Sequence, residues 1–135
     1  MKKIAAVAAL ALLLAACGGS AQQSGTPKAD PDALWSAYVS ALAKLDSTAV
    51  CGLFTSEGAH TFAQAWESAD CPGAVSKAGA EVTTPHQTPH TKDTGKQNLV
   101  TMTDCGIGAL TAKQVEGGWQ FSDYQPPSTV GYCGG

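Results

Sequence analysis

The sequence contains no arginine, and charged residues of either sign are few. All 8 basic residues are lysines, 11 residues are Asp or Glu, and charged residues make up 14% of the chain. Nucleic-acid binding relies on cationic side chains that displace counterions, and base edges are read above all by arginine. The composition therefore argues against a nucleic-acid partner, and it also argues against phosphate recognition by guanidinium groups.

Motifs of common catalytic and phosphate-binding sites are also missing. The chain has no G-x-S-x-G, no H-E-x-x-H, and no S-x-x-K followed by K-T-G, and neither phosphate-loop nor dinucleotide-binding fingerprints occur. It has no C-x-x-C either, which disfavours a redox or metal site among its cysteines. We therefore predict neither a cofactor nor a bound metal.

The N-terminus carries a short hydrophobic run behind two positive charges. Lys2 and Lys3 precede the apolar residues 4–16, a run too short to span a bilayer of about 30 Å. This layout is typical of a targeting segment. The sequence Leu14-Ala15-Ala16-Cys17 resembles the lipobox of bacterial lipoprotein signal peptides. The resemblance implies cleavage before Cys17 and attachment of diacylglycerol to its thiol, whereas the alternative is an ordinary secretory signal with an incidental cysteine.

These features divide the chain into three parts. We predict a lipoprotein signal peptide over residues 1–16, a lipidated cysteine with a flexible linker over 17–29, and a single domain over 30–135. The linker is rich in Gly, Ser, Gln and Ala, which is typical of a flexible tether. We expect the lipid to hold the domain on the extracytoplasmic face of the cell membrane.

The four cysteines that follow Cys17 predict two disulfides. An even number of cysteines in an exported domain indicates a disulfide framework, and four cysteines allow three pairings. We favour Cys51–Cys71 and Cys105–Cys133, because each pair then lies within one half of the chain.

Helical patterns come first and strand patterns follow. The apolar spacing and the Asp30-Pro31 pair predict a helix over 31–45. Further helices are predicted over 47–54, from 56 onward, and near 72–79. Strands are predicted over 81–84, 97–103, 110–115 and 119–124, with a loop or wide hairpin connection over 85–96. This order is that of an α+β fold with N-terminal helices packed on an antiparallel sheet.

Four segments resemble a known group: DPDALWSAYVSALAKLD, STAVCGLFTSEG, DCPGAV and AKQVEGGWQFSDY. They are similar to small exported lipoproteins of actinobacterial type with a nuclear-transport-factor-2-like, cystatin-like cone fold. The resemblance implies a curved, cone-like sheet wrapped around a long helix, with an opening into the cone. Related folds include isomerases and dehydratases as well as proteins without a reaction, so the fold leaves the function open.

Aromatic residues supply the candidate lining of a cleft. These are Trp35, Tyr38, Trp66, Trp119 and Phe121, and the alternative for all of them is packing in the core. Trp119 and Phe121 share one face of the predicted last strand, which we expect to be buried against the helices.

Candidate groups for acid–base or metal chemistry each have a structural alternative. In a cone-fold enzyme, the possible acid–base residues would be Asp104, His60, Tyr38 and Tyr124. The simpler interpretations are that Asp104 is a turn residue, that His60 is an exposed helix residue and that the two tyrosines lie in the core. We therefore predict no catalytic residue.

Two histidines, His86 and His90, with Asp93 nearby, form the candidate metal ligands. Pro85 and Pro89 precede the two histidines, which argues against a helix that would align them, and we predict a solvated loop instead.

The preferred function is a non-catalytic, lipid-anchored envelope domain that binds a small or hydrophobic ligand or a partner protein. The first alternative is a cone-fold enzyme with acid–base catalysis of the isomerase or dehydratase type. The second is a structural or scaffold lipoprotein without a small ligand.

Overall fold

The computed structural model describes residues 25–81 and 89–130, without the side chains of residues 92 and 93. The predicted signal peptide, Cys17, His86 and Cys133 lie outside the described residues. Four helices and then four strands follow one another: α1 (Pro31–Ala43), α2 (Ser47–Gly52), α3 (Ser56–Ala65), α4 (Cys71–Glu81), β1 (His90–Asp93), β2 (Leu99–Asp104), β3 (Gly108–Val115) and β4 (Gly118–Gln125). A short 3₁₀ turn over Pro127–Thr129 comes after β4. The predicted α+β class is confirmed.

Short polar side chains start the first three helices. Asp30 Oδ1 accepts a hydrogen bond from the Ala33 N–H at 2.7 Å, and Pro31 opens the first turn of α1. Asp46 caps α2 and Thr55 caps α3 in the same way. Each cap satisfies a backbone donor that has no partner within the helix, which fixes where the helix begins.

Two helices end on a residue with left-handed backbone geometry that is not glycine. Leu45 after α1 has φ 53° and Glu67 after α3 has φ 49°. At the end of α3, the Glu67 N–H donates to the Gln64 carbonyl and the Ser68 N–H donates to the Ala63 carbonyl, at 3.0 and 2.9 Å. This Schellman-type arrangement usually carries glycine at the left-handed position, because a Cβ is strained there.

We therefore expect Glu67→Gly to stabilise the domain. Glycine relieves the left-handed strain in the folded protein, but its greater flexibility also favours the unfolded chain. The net effect should be a free energy of unfolding that is higher by about 0.5–1 kcal/mol. Urea denaturation measures this change. Glu57→Gly, in the first turn of α3, is the matched control and should lower stability by about 1 kcal/mol. A Glu67→Gly variant no more stable than the wild type would contradict the prediction.

The sheet is an antiparallel meander in the order β1-β2-β3-β4. Its first strand corrects a sequence prediction, since His90–Asp93 pairs with β2 although the loop was expected to continue to residue 96. Glu81, expected to begin a strand, is instead the last residue of α4. The rest of that predicted strand, 82–84, lies outside the described residues.

A bulge in β4 turns both of its aromatic core residues toward the helices. Thr111 pairs with Asp123 but Ala112 pairs with Phe121, so Ser122 is an extra residue in β4. Without the extra residue, Phe121 and Tyr124 would point to opposite faces of the sheet. With it, both are buried, at 0% and 4% exposure. Trp119, expected to be buried beside Phe121, is only half-buried and packs at the margin of the core.

Five aromatic rings form the centre of the core. Tyr38 of α1 meets the edges or faces of Phe54, Phe62 and Phe121, with ring centroids 5.6 to 6.4 Å apart. Phe62 also stacks on Phe54 at 5.1 Å and meets Tyr124 edge-on at 4.9 Å. The cluster joins α1 and α3 to the inner face of β4, and these distances are typical of favourable aromatic pairs.

The predicted disulfide between Cys51 and Cys71 is present. It joins α2 to the first residue of α4, with Cα atoms 5.9 Å apart. Cys105 is disulfide-bonded as well. Because Cys133 lies outside the described residues, the pairing Cys105–Cys133 stays a prediction.

The outer edge of β4 is covered by two other segments of the chain. Lys28 exchanges two backbone hydrogen bonds with Trp119, at 3.0 and 2.8 Å. Further along β4, the Phe121 N–H donates to the Leu53 carbonyl and the Thr55 N–H donates to the Phe121 carbonyl. Residues of the predicted flexible linker therefore pair with the sheet, so packed structure begins before residue 30.

A buried amide also fixes the start of the described chain. Gln120 is 5% exposed, and its Nε2 donates to the carbonyls of Gly25 and Gly52 at 3.2 and 3.4 Å. The two glycines lie so close together that a Cβ on Gly25 would clash with the Gly52 backbone. Residues 25–28, which we call the N-terminal strap, are thus held at the beginning of β4.

Candidate functional site

An open groove lies at the end of the sheet where β2 ends, β3 begins and β4 ends. Its volume is about 790 Å³. Four parts of the chain line it: the end of α3, the last turns of α4, the β2–β3 turn at Cys105 and Gly106, and the segment Pro126–Ser128 after β4. Because these parts come from distant positions in the sequence, the groove exists only once the helices have packed on the sheet.

The walls of the groove combine apolar and charged side chains. Trp66, Pro126 and Pro127 provide rigid apolar surface, and Glu67, Lys77 and Glu81 provide charge. Lys77 Nζ donates to the Glu67 backbone carbonyl at 2.7 Å, which tethers this ammonium group to the end of α3. One ammonium and two carboxylates give the lining a formal charge of −1.

Tyr124 lies in the core close to this end of the sheet. Its hydroxyl donates to the Ile107 carbonyl at 2.7 Å, and its ring centroid is 6.3 Å from that of Trp66. Burial raises the pKa of Tyr124 well above its ordinary value, the Trp66 indole N–H lowers it in part, and the Glu81 carboxylate raises it. The Trp66 indole nitrogen is buried and makes no hydrogen bond of ordinary length and angle with the described residues. Its effect on Tyr124 is therefore that of a nearby dipole.

Tyr38 is fully buried, and its hydroxyl has no hydrogen-bond partner among the described residues. Burial raises the pKa of Tyr38 well above its ordinary value, and Tyr124 raises it further. Both tyrosines are therefore neutral at physiological pH. Neither phenol can serve as a base near neutral pH, which requires a group that titrates in that range.

The raised pKa values predict a loss of stability in alkali. In the unfolded chain a tyrosine ionises near pH 10, whereas the folded protein keeps both buried phenols protonated above that pH. The stabilising contribution is therefore complete below pH 10 and falls above it, by up to about 1.4 kcal/mol per pH unit for each tyrosine.

Thermal unfolding between pH 8 and pH 11 tests this expectation. The Tyr38→Phe variant should retain its stability at pH 7, because the hydroxyl it loses makes no hydrogen bond. Above pH 10 its Tm should fall less steeply than that of the wild type. Equal slopes for the wild type and for Tyr38→Phe would contradict the assignment of Tyr38 as a phenol that must ionise on unfolding.

The structure does not bring the five predicted cleft residues into one cleft. Trp66 lines the groove. Trp35, Tyr38 and Phe121 are at most 1% exposed and lie in the core, and Trp119 is half-buried at the opposite end of β4. The sequence interpretation missed Lys77 and Glu81 on α4 and the pair Pro126-Pro127. The proline pair is visible in the sequence, but no pattern there marks it as part of a binding site.

Of the four candidate acid–base residues, Tyr38 and Tyr124 belong to the aromatic core, and the other two are a buried turn residue and an exposed helix residue. Asp104 is 3% exposed, and its Oδ1 accepts from the Gly106 N–H at 2.7 Å, as expected of a turn residue. His60 is exposed on α3. His90 is the first residue of β1. Within the described residues, no group of three or more His, Cys, Asp or Glu side chains could hold a metal ion.

Among the helices in residues 25–81 and 89–130, none has both the length and the apolar character needed to cross a membrane.

Comparison with known proteins gives no relative from which an activity could be transferred. No protein-family model matches the chain, and no curated protein or solved structure is significantly similar to it.

Proposed function

We propose that this chain is a lipid-anchored protein of the cell envelope whose domain binds a small amphipathic ligand without catalysing a reaction. The anchoring part of the proposal is supported by the sequence Leu14-Ala15-Ala16-Cys17 behind a short apolar run and two lysines. In this proposal, residues 1–16 are a signal peptide that is removed, and Cys17 carries the lipid. Two or more acyl chains suffice for stable anchoring to a bilayer.

The proposal that the domain binds a ligand rests on the groove. Its volume of about 790 Å³ lies within the range of small-molecule sites. Trp66, Pro126 and Pro127 offer rigid apolar surface, which favours an aromatic or aliphatic portion of the ligand. The carboxylates of Glu67 and Glu81 outnumber the ammonium of Lys77, which favours a cationic polar end over an anionic one.

The cone-like shape expected from the family resemblance is part of the same proposal. Two features support it: α1 and α3 pack against β4, and the bulge at Ser122 bends β4. A non-catalytic role is supported by the positions of Tyr38 and Tyr124, which are buried in the core and are not among the residues that line the groove.

Native mass spectrometry of the membrane-extracted protein tests the proposal. Denatured protein should have the mass of residues 17–135 with diacylglycerol attached, and the native spectrum should contain an additional small-molecule mass. Trp66→Ala should lose that additional mass, whereas His60→Ala, an exposed change on α3 just before Trp66, should keep it. An additional mass retained by Trp66→Ala would place the ligand elsewhere, and a bare native spectrum would count against a tightly held ligand.

Two simple probe molecules test the ligand's charge. Phenylpropylamine and phenylpropionate share an aromatic end and differ in the sign of the polar end. Titration followed by tryptophan fluorescence should show tighter binding of the amine, and Glu81→Gln should reduce this preference. Equal or reversed affinities would contradict the proposed ligand class.

A further inference from the structure

Helix α4 forms one wall of the groove but buries only small side chains. Its last turns belong to the lining. The residues that it buries in the core are Cys71, Ala74, Val75 and Ala78, whereas α1 buries a tryptophan, a tyrosine and two leucines. The hydrophobic contribution to stability scales with the apolar area removed from water. Side-chain burial therefore attaches α4 to the domain less firmly than it attaches α1.

The sequence of α4 also makes it a weak helix in isolation. The helix has 11 residues, and its sequence CPGAVSKAGAE includes glycine at two positions. Glycine lowers helix propensity, and isolated helices shorter than about 12–15 residues are marginal in water. Helix α4 therefore persists only while contacts with the rest of the domain hold it.

Toward the groove, α4 is held by contacts at the surface. It packs mainly on the other three helices. Lys77 Nζ donates to the Glu67 carbonyl at 2.7 Å, and both residues are exposed. Leu45 lies against Gly79, but Leu45 is itself 56% exposed. Because water competes for the donor and the acceptor, an exposed hydrogen bond adds only modestly to stability. These contacts are therefore weak restraints on the last turns of the helix.

The covalent attachment of α4 is at its first residue. Cys71 is bonded to Cys51 of α2, with Cα atoms 5.9 Å apart. The neighbouring residue Val50 is fully buried, so the α2 end of this bond is fixed in the core. The chain between the two cysteines contains Trp66 and Glu67 of the groove, and α4 follows directly after it. The disulfide therefore closes the loop that carries one helical wall of the groove and anchors the start of the other.

We infer that the Cys51–Cys71 disulfide positions the α4 wall of the groove, and that a dithiol able to reduce this bond releases α4 and weakens ligand binding. The inference rests on the proposed use of the groove. In the exchange, the S–S bond between Cys51 and Cys71 breaks and both sulfurs become thiols. The two electrons and two protons come from the dithiol, whose own sulfurs become joined as a disulfide. Cys51 is only half-buried, so the reductant can approach this end of the bond.

Hydrogen exchange followed by mass spectrometry tests the release of α4. The full chain is incubated with increasing concentrations of dithiothreitol, and differential alkylation identifies the cysteines whose bonds have opened. Peptides from α4 should exchange about 10- to 100-fold faster once Cys51 and Cys71 are reduced, because a helix without its anchor opens more often. Peptides from β3 and β4 should keep their protection. Unchanged exchange in α4 after the bond has opened, or an equal rise throughout the domain, overturns the inference.

The variant Cys51→Ala/Cys71→Ala separates this bond from that of Cys105, which also lines the groove and keeps its disulfide. Its affinity for phenylpropylamine, measured by tryptophan fluorescence, should fall about tenfold or more. The physical reason is that apparent affinity falls with the fraction of molecules in which the groove is assembled. Val100→Ala removes apolar burial from β2 and is the control for a general loss of stability. It should bind the amine as the wild type does under conditions where it is folded.

The outcomes separate the role of the disulfide from the proposed ligand class. Oxidised wild-type protein that binds no phenylpropylamine would contradict the ligand class, and exchange in α4 would still decide whether the bond positions this helix. Equal affinity in the wild type and the double-cysteine variant overturns the inference. If the double-cysteine variant does not fold, the reduced wild-type protein decides: faster exchange confined to the helical walls supports the inference, and protected α4 peptides overturn it.

Discussion

Replacing Cys17 with alanine is expected to move the protein from the membrane fraction to the soluble fraction or the medium, or to leave it with its signal peptide uncleaved. The thiol is the proposed attachment point of the diacylglycerol, and without a thiol no lipid can be attached. Buried acyl chains contribute about 0.8 kcal/mol per CH₂, so losing two chains should reduce membrane affinity by many orders of magnitude. Membrane fractionation and the mass of the N-terminal peptide measure the result.

Gly19→Ala is the matched control for this change. It alters a small residue two positions beyond Cys17, outside the pattern that resembles a lipobox, and should leave both lipid and membrane retention intact. Cys17→Ala protein that stays on the membrane with its signal peptide removed would contradict the proposed anchor. A wild-type N-terminal peptide that carries no lipid would contradict it directly.

Phe62→Ala is expected to cause the largest loss of folding stability among the changes considered. Phe62 is fully buried on α3 and contacts Phe54, Tyr38 and Tyr124 in the aromatic cluster. Truncating a buried phenylalanine costs about 3–5 kcal/mol, because apolar burial is lost and a cavity remains. Domains of this kind are stable by about 5–15 kcal/mol in total. Urea denaturation under non-reducing conditions measures the loss.

Two changes on the same helix calibrate this expectation. Phe62→Leu keeps most of the apolar volume and should cost clearly less than Phe62→Ala. His60→Ala lies two residues away on the exposed side of α3 and should change stability by no more than about 0.5 kcal/mol. A Phe62→Ala variant as stable as His60→Ala would show that the aromatic cluster does not hold α3 against the sheet.

The helices could be predicted from the sequence because their determinants are local. Asp30, Asp46 and Thr55 accept hydrogen bonds from the N–H groups three residues later, and such caps leave a readable pattern. The Gly117-Gly118 turn is local in the same sense, since both residues have positive φ between paired strands. The disulfide Cys51–Cys71 followed from cysteine number and proximity in the chain.

Features that depend on distant residues could not be predicted in the same way. Strand β1 has the polar sequence His90–Asp93 and forms at the edge of the sheet through its pairing with β2. A polar edge strand lacks the apolar alternation by which strands are recognised. The bulge at Ser122 depends on the register of β3, and it places Phe121 and Tyr124 on one face although their spacing assigns them to two.

The groove depends on packing at a still larger scale. Trp66, Glu81, Cys105 and Pro126 come together only through the placement of α3 and α4 on the sheet. No spacing in the sequence marks them as neighbours. Aromatic content suggested a cleft, but three of the five aromatic candidates, Trp35, Tyr38 and Phe121, are almost fully buried in the core.

The pairing of Lys28 with Trp119 also imposes an order of events during biosynthesis. A chain is made from its N-terminus, and Gly25 precedes its partner Gln120 by 95 residues. The strap therefore cannot dock until nearly the whole domain has been made and has reached the same compartment. Until then, the edge of β4 that Lys28 covers is unpaired at Trp119. Under the proposed anchoring, attachment of lipid at Cys17 and closure of this sheet edge are thus separated in time.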